Sequence, residues 1–135
     1  MEGIIISLDK QKLDLEMIYN FLKTAYWAKG RSKSMVQTSI DNSICFGVYI
    51  QESQIGFARV VSDKSVFAYV MDVFILQKYR GKGYGIALID FIMKEPQMKE
   101  VQNWLLATSD AQNLYKKFGF KSLPNPNTVM KKVAF

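Results

Sequence analysis

The chain has 135 residues, 49% of them hydrophobic and 13% aromatic, which predicts one folded domain over residues 1–135. Its formal net charge is +6, so anionic partners are favoured over cationic ones. The sequence has no histidine and one cysteine, Cys45. This excludes Ser-His and Cys-His nucleophile pairs, the usual catalytic zinc ligand sets and an internal disulfide.

The N-terminal sequence MEGIIISLDK carries an acidic residue at position 2 and is not typical of a signal peptide. Elsewhere no apolar run approaches the roughly 20 residues that a membrane span requires. A single cysteine suits a reducing compartment. We therefore expect a cytoplasmic protein without a membrane partner.

The first half of the chain predicts a strand, two helices and then a meander of three strands. The first strand is expected over residues 3–8, and apolar residues recur on one face of a helix over residues 14–24. A basic connector, AKGRSKS, leads to a shorter helix over residues 35–40. The three strands of the meander follow at hairpin spacing, over residues 43–50, 54–61 and 66–75.

The second half predicts a parallel crossover. A helix over residues 83–95 is apolar almost all round, as expected of a buried helix, and a strand over residues 104–107 follows it. Together with strand 66–75 they predict a βαβ unit of right-handed connection. A short helix over residues 111–118 comes next, and the remaining residues suggest two strands separated by a proline-bearing loop. The predicted fold class is mixed α/β.

The sequence YRGKGYGIAL, residues 79–88, combines glycines and basic side chains at the start of the buried helix. Glycines let backbone N–H groups approach an anion, and the start of a helix adds unpaired donors and the positive end of its dipole. Lys78, Arg80 and Lys82 supply charge. The loop therefore suits a diphosphate, although a solvated basic turn before a buried helix has the same composition.

The order of these elements closely resembles the GNAT superfamily of N-acetyltransferases. The loop motif of that family is Q/R-x-x-G-x-G/A, and Arg80, Gly83 and Gly85 occupy its specified positions. LYKKFGF matches the family's later L-Y-x-K-x-G-F segment. The resemblance runs from about residue 46 to residue 120, and is closest to a bacterial subgroup of unnamed acceptor.

The resemblance implies a single GNAT-like domain. Its sheet would be mixed and mostly antiparallel, with splayed parallel central strands and about four flanking helices. The cosubstrate would be acetyl-CoA, with no metal. The main chain of Val73, Phe74 and Ile75 would pair with the pantetheine arm, and an N–H near Val73 or Phe74 would polarise the thioester carbonyl beside a β-bulge. The pyrophosphate would bind the backbone amides of Arg80, Gly81, Lys82, Gly83, Tyr84 and Gly85.

Tyr115 matches the family tyrosine that lies near the cofactor sulfur. A phenol has an ordinary pKa near ~10 and a thiol near ~8.5, so hydrogen bonding to the departing sulfur is a more favourable role than complete proton donation. Packing is the alternative, because Tyr115 lies on an apolar stripe at helical spacing with Ala111, Leu114 and Phe118.

Asp72 alternates with Val66, Ala68 and Val70, which places a carboxylate on an apolar strand face beside the expected thioester. It could accept a proton from the amine or attract the acceptor's ammonium. An ion pair with Arg59 on the neighbouring strand is the structural alternative.

One position departs from the family pattern. Members often carry an asparagine seven residues before the tyrosine, and this chain has Thr108 there. The Thr108 hydroxyl, Ser109 or Asn113 would substitute in contacting the cofactor arm. Asp110 is expected to cap the following helix.

The primary hypothesis is an enzyme that transfers an acetyl group from acetyl-CoA directly to a primary amine, in a ternary complex with a small-molecule or peptide acceptor. A non-catalytic acyl-CoA sensor is the alternative. No nucleic-acid partner is expected, because the basic residues outside the loop are dispersed. A homodimer through the C-terminal strands is expected by analogy with the family.

Overall fold

The computed structural model describes residues 3–134. Within them, the strands are β1 (Ile4–Ser7), β2 (Ile44–Ile50), β3 (Ser53–Ser62), β4 (Phe67–Ile75) and β5 (Asn103–Leu105). The α-helices are α1 (Leu15–Leu22), α2 (Lys33–Asp41), α3 (Tyr84–Met93) and α4 (Gln112–Lys116). None of these helices is long and apolar enough to cross a membrane.

One five-stranded sheet has the strand order β1-β2-β3-β4-β5. The first four strands pair antiparallel, and β4 pairs with β5 in parallel. The chain between these parallel strands contains α3, so the predicted crossover unit is confirmed. The mixed α/β fold with four α-helices is confirmed as well.

The two faces of the sheet bury different helices, because successive strand residues point to opposite faces. On one face the apolar side of α3, with Leu88 and Ile92 fully buried, packs in one core with Phe46 and Val48 of β2. On the other face α1 and α2 pack in a second core that contains Phe57 of β3. Burial of each such side chain contributes about 1.5–3 kcal/mol.

Side-chain caps fix where α1 and α2 begin. The Asp14 carboxylate accepts a hydrogen bond from the Met17 amide at 3.1 Å. The Ser32 hydroxyl accepts one from the Met35 amide, also at 3.1 Å. Each satisfies an N–H that the first turn leaves unpaired. The Ser32 cap explains why α2 begins two residues earlier than the pattern of apolar residues predicts.

A β-bulge distorts β4 at its centre. Phe57 pairs with Phe74 and Arg59 pairs with Met71, so two residues of β4 lie opposite Ala58 alone. Asp72 lies in this bulge with φ of +55°, a left-handed conformation that aspartate adopts more readily than most residues. The bulge expected in the central strand is confirmed.

The prediction of two C-terminal strands is wrong for the described residues. The chain from 121 to 134 contains one short 3₁₀ turn, Pro126–Thr128, and no strand, and every residue there is exposed. Pro124 and Pro126 cannot donate to a strand ladder, and the Lys131-Lys132 pair interrupts the apolar alternation. Phe135, the last residue of the predicted pair, lies outside the described residues.

Candidate active site

The glycine loop, defined here as residues 80–85, brings uncapped backbone donors to the surface. Gly81 has φ of +80° and Gly83 has φ of +85°, and glycine adopts this left-handed conformation without steric cost. Gly83 is the N-cap of α3, and no side chain caps the helix. The first-turn N–H groups of α3 thus keep their hydrogen-bonding capacity, and together with the helix dipole they fit a diphosphate.

Three cationic side chains flank these donors in different ways. Lys78 Nζ lies 5.2 Å and Lys82 Nζ lies 6.0 Å from the centroid of the Tyr79 ring. Arg80 turns away, and its Nε donates a 2.8 Å hydrogen bond to the Ile75 carbonyl at the end of β4. Arg80 therefore anchors the loop to the strand, while the two lysines remain exposed charges beside the helix start.

The parallel strands separate next to this loop. Their pairing consists of three residue pairs and ends at Tyr69 with Leu105, whereas β4 continues through the bulge to Ile75. Beyond Tyr69 the edge of β4 that faces β5 has no strand partner among residues 3–134. Val73, Phe74 and Ile75 lie on this edge, and the Ile75 carbonyl is the one that Arg80 binds. An extended chain of hydrogen-bonding groups can pair with such an edge.

Tyr115 belongs to α4 and is 8% exposed. Burial, with a smaller effect of the Asp110 charge, raises the pKa of its hydroxyl to about 12. The phenol is therefore a protonated hydrogen-bond donor at neutral pH. An added Cβ at Gly85 would come within 4.0 Å of Leu114, so α4 lies against the first turn of α3.

A cavity of about 620 Å³ lies at the outer edge of β5. Tyr115, Phe118 and residues 102–108 line it together with residues 119–123. Neither β4 nor the glycine loop contributes to it. Of the two predicted catalytic residues, Tyr115 borders this cavity and Asp72 does not.

Asp72 is the centre of a buried cluster of charged and polar side chains. Arg31 Nη1 donates to both of its carboxylate oxygens, at 2.9 and 2.8 Å. Arg59 Nε donates at 2.8 Å and Trp27 Nε1 at 3.1 Å. The carboxylate is 1% exposed. The ion pair expected with Arg59 is present, and a second arginine and an indole share the same carboxylate.

The hydrogen bonds of Arg31 and Trp27 to Asp72 were not predicted from the sequence. These two residues precede Asp72 by 41 and 45 residues, in the connector between α1 and α2. The signal available was a tryptophan directly before the basic connector AKGRSKS, but nothing in the local sequence assigned either residue to Asp72. With the carboxylate engaged by three donors, attraction of an ammonium to Asp72 has no geometric support.

The loop between β5 and α4 differs from expectation in one respect. The Thr108 hydroxyl accepts a hydrogen bond from the Ala111 amide at 3.1 Å, whereas Asp110 makes no backbone cap. The prediction that Asp110 caps this helix is therefore wrong, because Ala111 is the N-cap residue of α4 and no side chain caps the helix. Asn113 is exposed on α4. No group of three metal-ligating side chains is found within residues 3–134.

A contact between two loops connects both sides of the site. The Tyr26 and Ser109 hydroxyls lie 2.7 Å apart. Tyr26 belongs to the connector between α1 and α2, and Ser109 follows β5. The contact joins the connector that carries Arg31 to the strand that separates from β4.

Residues 41–122, more than half of the chain, match the family model described as an acetyltransferase (GNAT) domain. The chain belongs to the GNAT acetyltransferase family. It is accordingly an acyltransferase, with the fold that positions a loop, a bulged strand and a separating parallel strand as described above.

A solved structure from Xanthomonas campestris pv. campestris, assigned to the GNAT family, is 39% identical with a TM-score of 0.95, over 99% of this chain and 95% of that one. The uncharacterized N-acetyltransferase ycf52 of Pyropia yezoensis is 30% identical over 92% of this chain and 74% of its own length. This GNAT chain spans 78% and 57% of the length of relatives from Gibberella zeae and Gracilaria tenuistipitata var. liui. A GNAT structure from Elizabethkingia anophelis with acetyl-CoA bound shares the fold, with a TM-score of 0.69 at 16% identity over 90% of this chain and 78% of that one.

Proposed function

We propose that this protein transfers an acetyl group from acetyl-CoA directly to a primary amine on a small molecule or peptide, in a ternary complex in the cytoplasm. The observation that carries the proposal is the separation of the parallel strands, which stop pairing at Tyr69 while β4 continues through a bulge toward the glycine loop. The E. anophelis relative, whose structure contains acetyl-CoA, supports the choice of cosubstrate.

The residues present fit such a cosubstrate. Backbone N–H groups of residues 80–85 would bind the diphosphate, with Lys78 and Lys82 supplying charge. The main chain of Val73 and Phe74 would pair with the pantetheine arm. When bound, the cosubstrate supplies an activated acetyl group as a thioester.

The proposed reaction is one acyl transfer. The neutral amine nitrogen forms a bond to the thioester carbonyl carbon, the carbon–sulfur bond breaks, and its electron pair leaves with the sulfur. The nitrogen loses one proton to solvent water, and the departing thiolate takes up one proton from solvent water to become a thiol. The Tyr115 hydroxyl donates a hydrogen bond to the departing sulfur, a role that its protonated state supports. Asp72 orients the two arginines instead of accepting the proton.

Direct attack is favoured over a covalent acyl-enzyme. Cys45 is 2% exposed, and burial raises the pKa of its thiol to about 11. A buried neutral thiol is a poor nucleophile, because the thiolate is the reactive form. The described residues therefore offer no activated cysteine on which an acyl group would reside.

The function is tested by following thiol release from acetyl-CoA with amino acids, polyamines, aminoglycosides and peptides, and by identifying the acetylated product by mass spectrometry. The proposal expects an N-acetylated product from at least one amine class. Retained binding of coenzyme A without any product would contradict it and favour the non-catalytic sensor.

We also propose that the protein forms a homodimer through its C-terminal segment, residues 121–134. Val129, Met130 and Val133 are 54%, 92% and 70% exposed, and the outer edge of β5 has no strand partner among residues 3–134. An unpaired strand edge next to exposed apolar side chains is a surface to which a strand can add. Sedimentation analysis should give a dimer for the full chain and a monomer after deletion of residues 124–135. A monomeric full chain would contradict the dimer.

A further inference from the structure

The cluster around Asp72 contains more positive than negative charge. One carboxylate faces two guanidinium groups, which gives a net charge of 2 − 1 = +1. The side chains of Arg31 and Arg59 are 20% and 9% exposed. Neither arginine has a second acidic partner among residues 3–134. A largely buried positive charge that is only partly neutralised is stabilised when an anion binds beside it.

The hydrogen-bond donors of the two arginines are used unequally. Arg59 donates from Nε to Asp72 and from Nη1 to the Ser43 hydroxyl, the latter at 3.1 Å. Arg31 donates to Asp72 from Nη1 only, and its Nε and Nη2 groups have no acceptor within the described part of the chain. A guanidinium has five N–H donors in a fixed fork that matches the two oxygens of a carboxylate. Arg31 is therefore the more exposed cation and has free donors.

The cluster lies on the face of the sheet that α1 and α2 cover. Phe74, two residues after Asp72, packs in the core of α1 and α2, and the Arg31 connector joins these two helices. The glycine loop and α4 lie instead with α3, on the opposite face. If the diphosphate binds the glycine loop, as in the proposed function, the cosubstrate occupies the side of α3, and the face of α1 and α2 remains for the amine.

We propose that the acceptor is an amine that carries a carboxylate close to its nitrogen, as an amino acid does, and that Arg31 binds this carboxylate. The proposal rests on the proposed function and names the class of acceptor. Polyamines are expected to be poor acceptors. Asp72 is buried and cannot bind their ammonium groups, and the net positive charge of the cluster repels them. Trp27, which is 40% exposed and packs edge-to-face with Tyr26 at 5.2 Å, borders the same place with an apolar surface.

The test compares matched amines, namely the common L-amino acids and their α-amides, which retain the amine and lose the carboxylate charge. For the unaltered protein we expect kcat/KM to be about 10- to 100-fold higher for the preferred amino acid than for its amide, as for loss of one charge-assisted contact. Spermidine is the polyamine probe and should be a poorer acceptor than that amino acid.

Arg31→Gln should reduce the acid-to-amide preference to about unity, and Arg31→Lys should retain part of it. Lys33→Gln is the matched control, because Lys33 lies two residues away and pairs with Glu16 instead of Asp72. Its preference should equal that of the unaltered protein. The ratio is measured within one preparation, so partial loss of folded protein does not change it.

The unaltered protein alone can overturn the proposal, whether or not the variants fold. Equal or faster acetylation of the amides or of spermidine would overturn the carboxylate proposal and leave acetyl transfer intact. The absence of product from every amine would overturn both. An acid preference that survives Arg31→Gln unchanged would remove Arg31 as its cause.

Discussion

The glycine loop before α3 and the cluster around Asp72 both concentrate positive charge, but they hold it in different ways. In the loop, Lys78 and Lys82 are exposed, and the hydrogen-bond donors are backbone N–H groups at an uncapped helix start. In the cluster, Arg31 and Arg59 are largely buried, and a carboxylate with 1% exposure orients them.

We therefore expect the loop charges to contribute mainly to the affinity for an anion, and the cluster charges to contribute mainly to the stability of the fold. Exposed cations are already solvated, so their removal costs the fold little and weakens binding of an anion. Buried cations depend on their counter-ion, so removal of that counter-ion costs the fold directly.

The largest effect is expected from Asp72→Asn. Asparagine keeps the side-chain shape and tolerates φ of +55°, so the change isolates the charge. Two buried guanidinium groups lose their counter-ion, and we expect the free energy of unfolding to fall by about 3–5 kcal/mol. Urea unfolding followed by tryptophan fluorescence measures it.

Asp90→Asn is the matched control for this charge removal. Asp90 pairs with Lys94 at 2.9 Å on the surface of α3, where its side chain is 45% exposed. We expect a loss of at most about 0.5 kcal/mol. If the two variants lose equal stability, the buried cluster does not differ from a surface ion pair and the comparison fails.

Tyr115→Phe should change turnover while leaving both charged regions intact. The ring is retained and only the proposed donor to sulfur is removed, so kcat should fall about 10- to 100-fold. The dissociation constant of coenzyme A should stay within about threefold, because a phenol contact to sulfur contributes little to diphosphate binding. Unchanged kcat in a stopped-flow thiol assay would assign Tyr115 to packing.

Gly83→Ala tests the loop. The left-handed φ of +85° disfavours alanine by about 1 kcal/mol, so the helix start should shift and coenzyme A should bind about tenfold more weakly. Gly3→Ala is the control, because Gly3 has φ of +78° with open space around it and lies outside the loop. Equal affinities of the two variants in calorimetry would contradict a role for the loop backbone.

The smallest effect concerns pH and Cys45. Burial raises the pKa of its thiol from 9.0 to about 11, so the unfolded chain loses this proton first as pH rises. Stability should therefore decrease between pH 9 and 11, and the buried hydroxyls of Tyr49 and Tyr115 should extend the decrease above pH 10. Cys45→Ala should flatten the dependence between pH 9 and 10 in urea unfolding. If stability falls equally steeply with pH in the unaltered protein and in Cys45→Ala, the predicted contribution of Cys45 is contradicted.

The parts of the fold that local patterns determine were predicted well. The meander β2 to β4, the apolar α3 and the parallel β5 follow from hairpin spacing, periodicity and the rules of crossover connections. The C-terminal strands were not, because a strand forms only where an edge and a register are available, and sequence alternation does not report either. The extent of one domain over residues 1–135 stays a prediction.

In the candidate site as well, features set by local sequence were predicted better than features that depend on distant residues. The glycine loop was recognisable because its donors and charges are adjacent in sequence. The Asp72 cluster was only partly recognisable, because Arg59 lies on the paired strand whereas Arg31 and Trp27 come from a connector more than 40 residues away. Long-range side-chain partners depend on how α1 and α2 pack on the sheet, which a single sequence does not specify.

The most direct measurement of the central claim is calorimetric titration of the purified protein with acetyl-CoA and with S-acetylpantetheine, which lacks the diphosphate and the adenosine 3′-phosphate attached to it. If the glycine loop binds the diphosphate, acetyl-CoA should bind one to one and S-acetylpantetheine about 100-fold more weakly, as expected for loss of several charge-assisted hydrogen bonds. Equal affinity for the two compounds, or no binding of acetyl-CoA, would contradict the account.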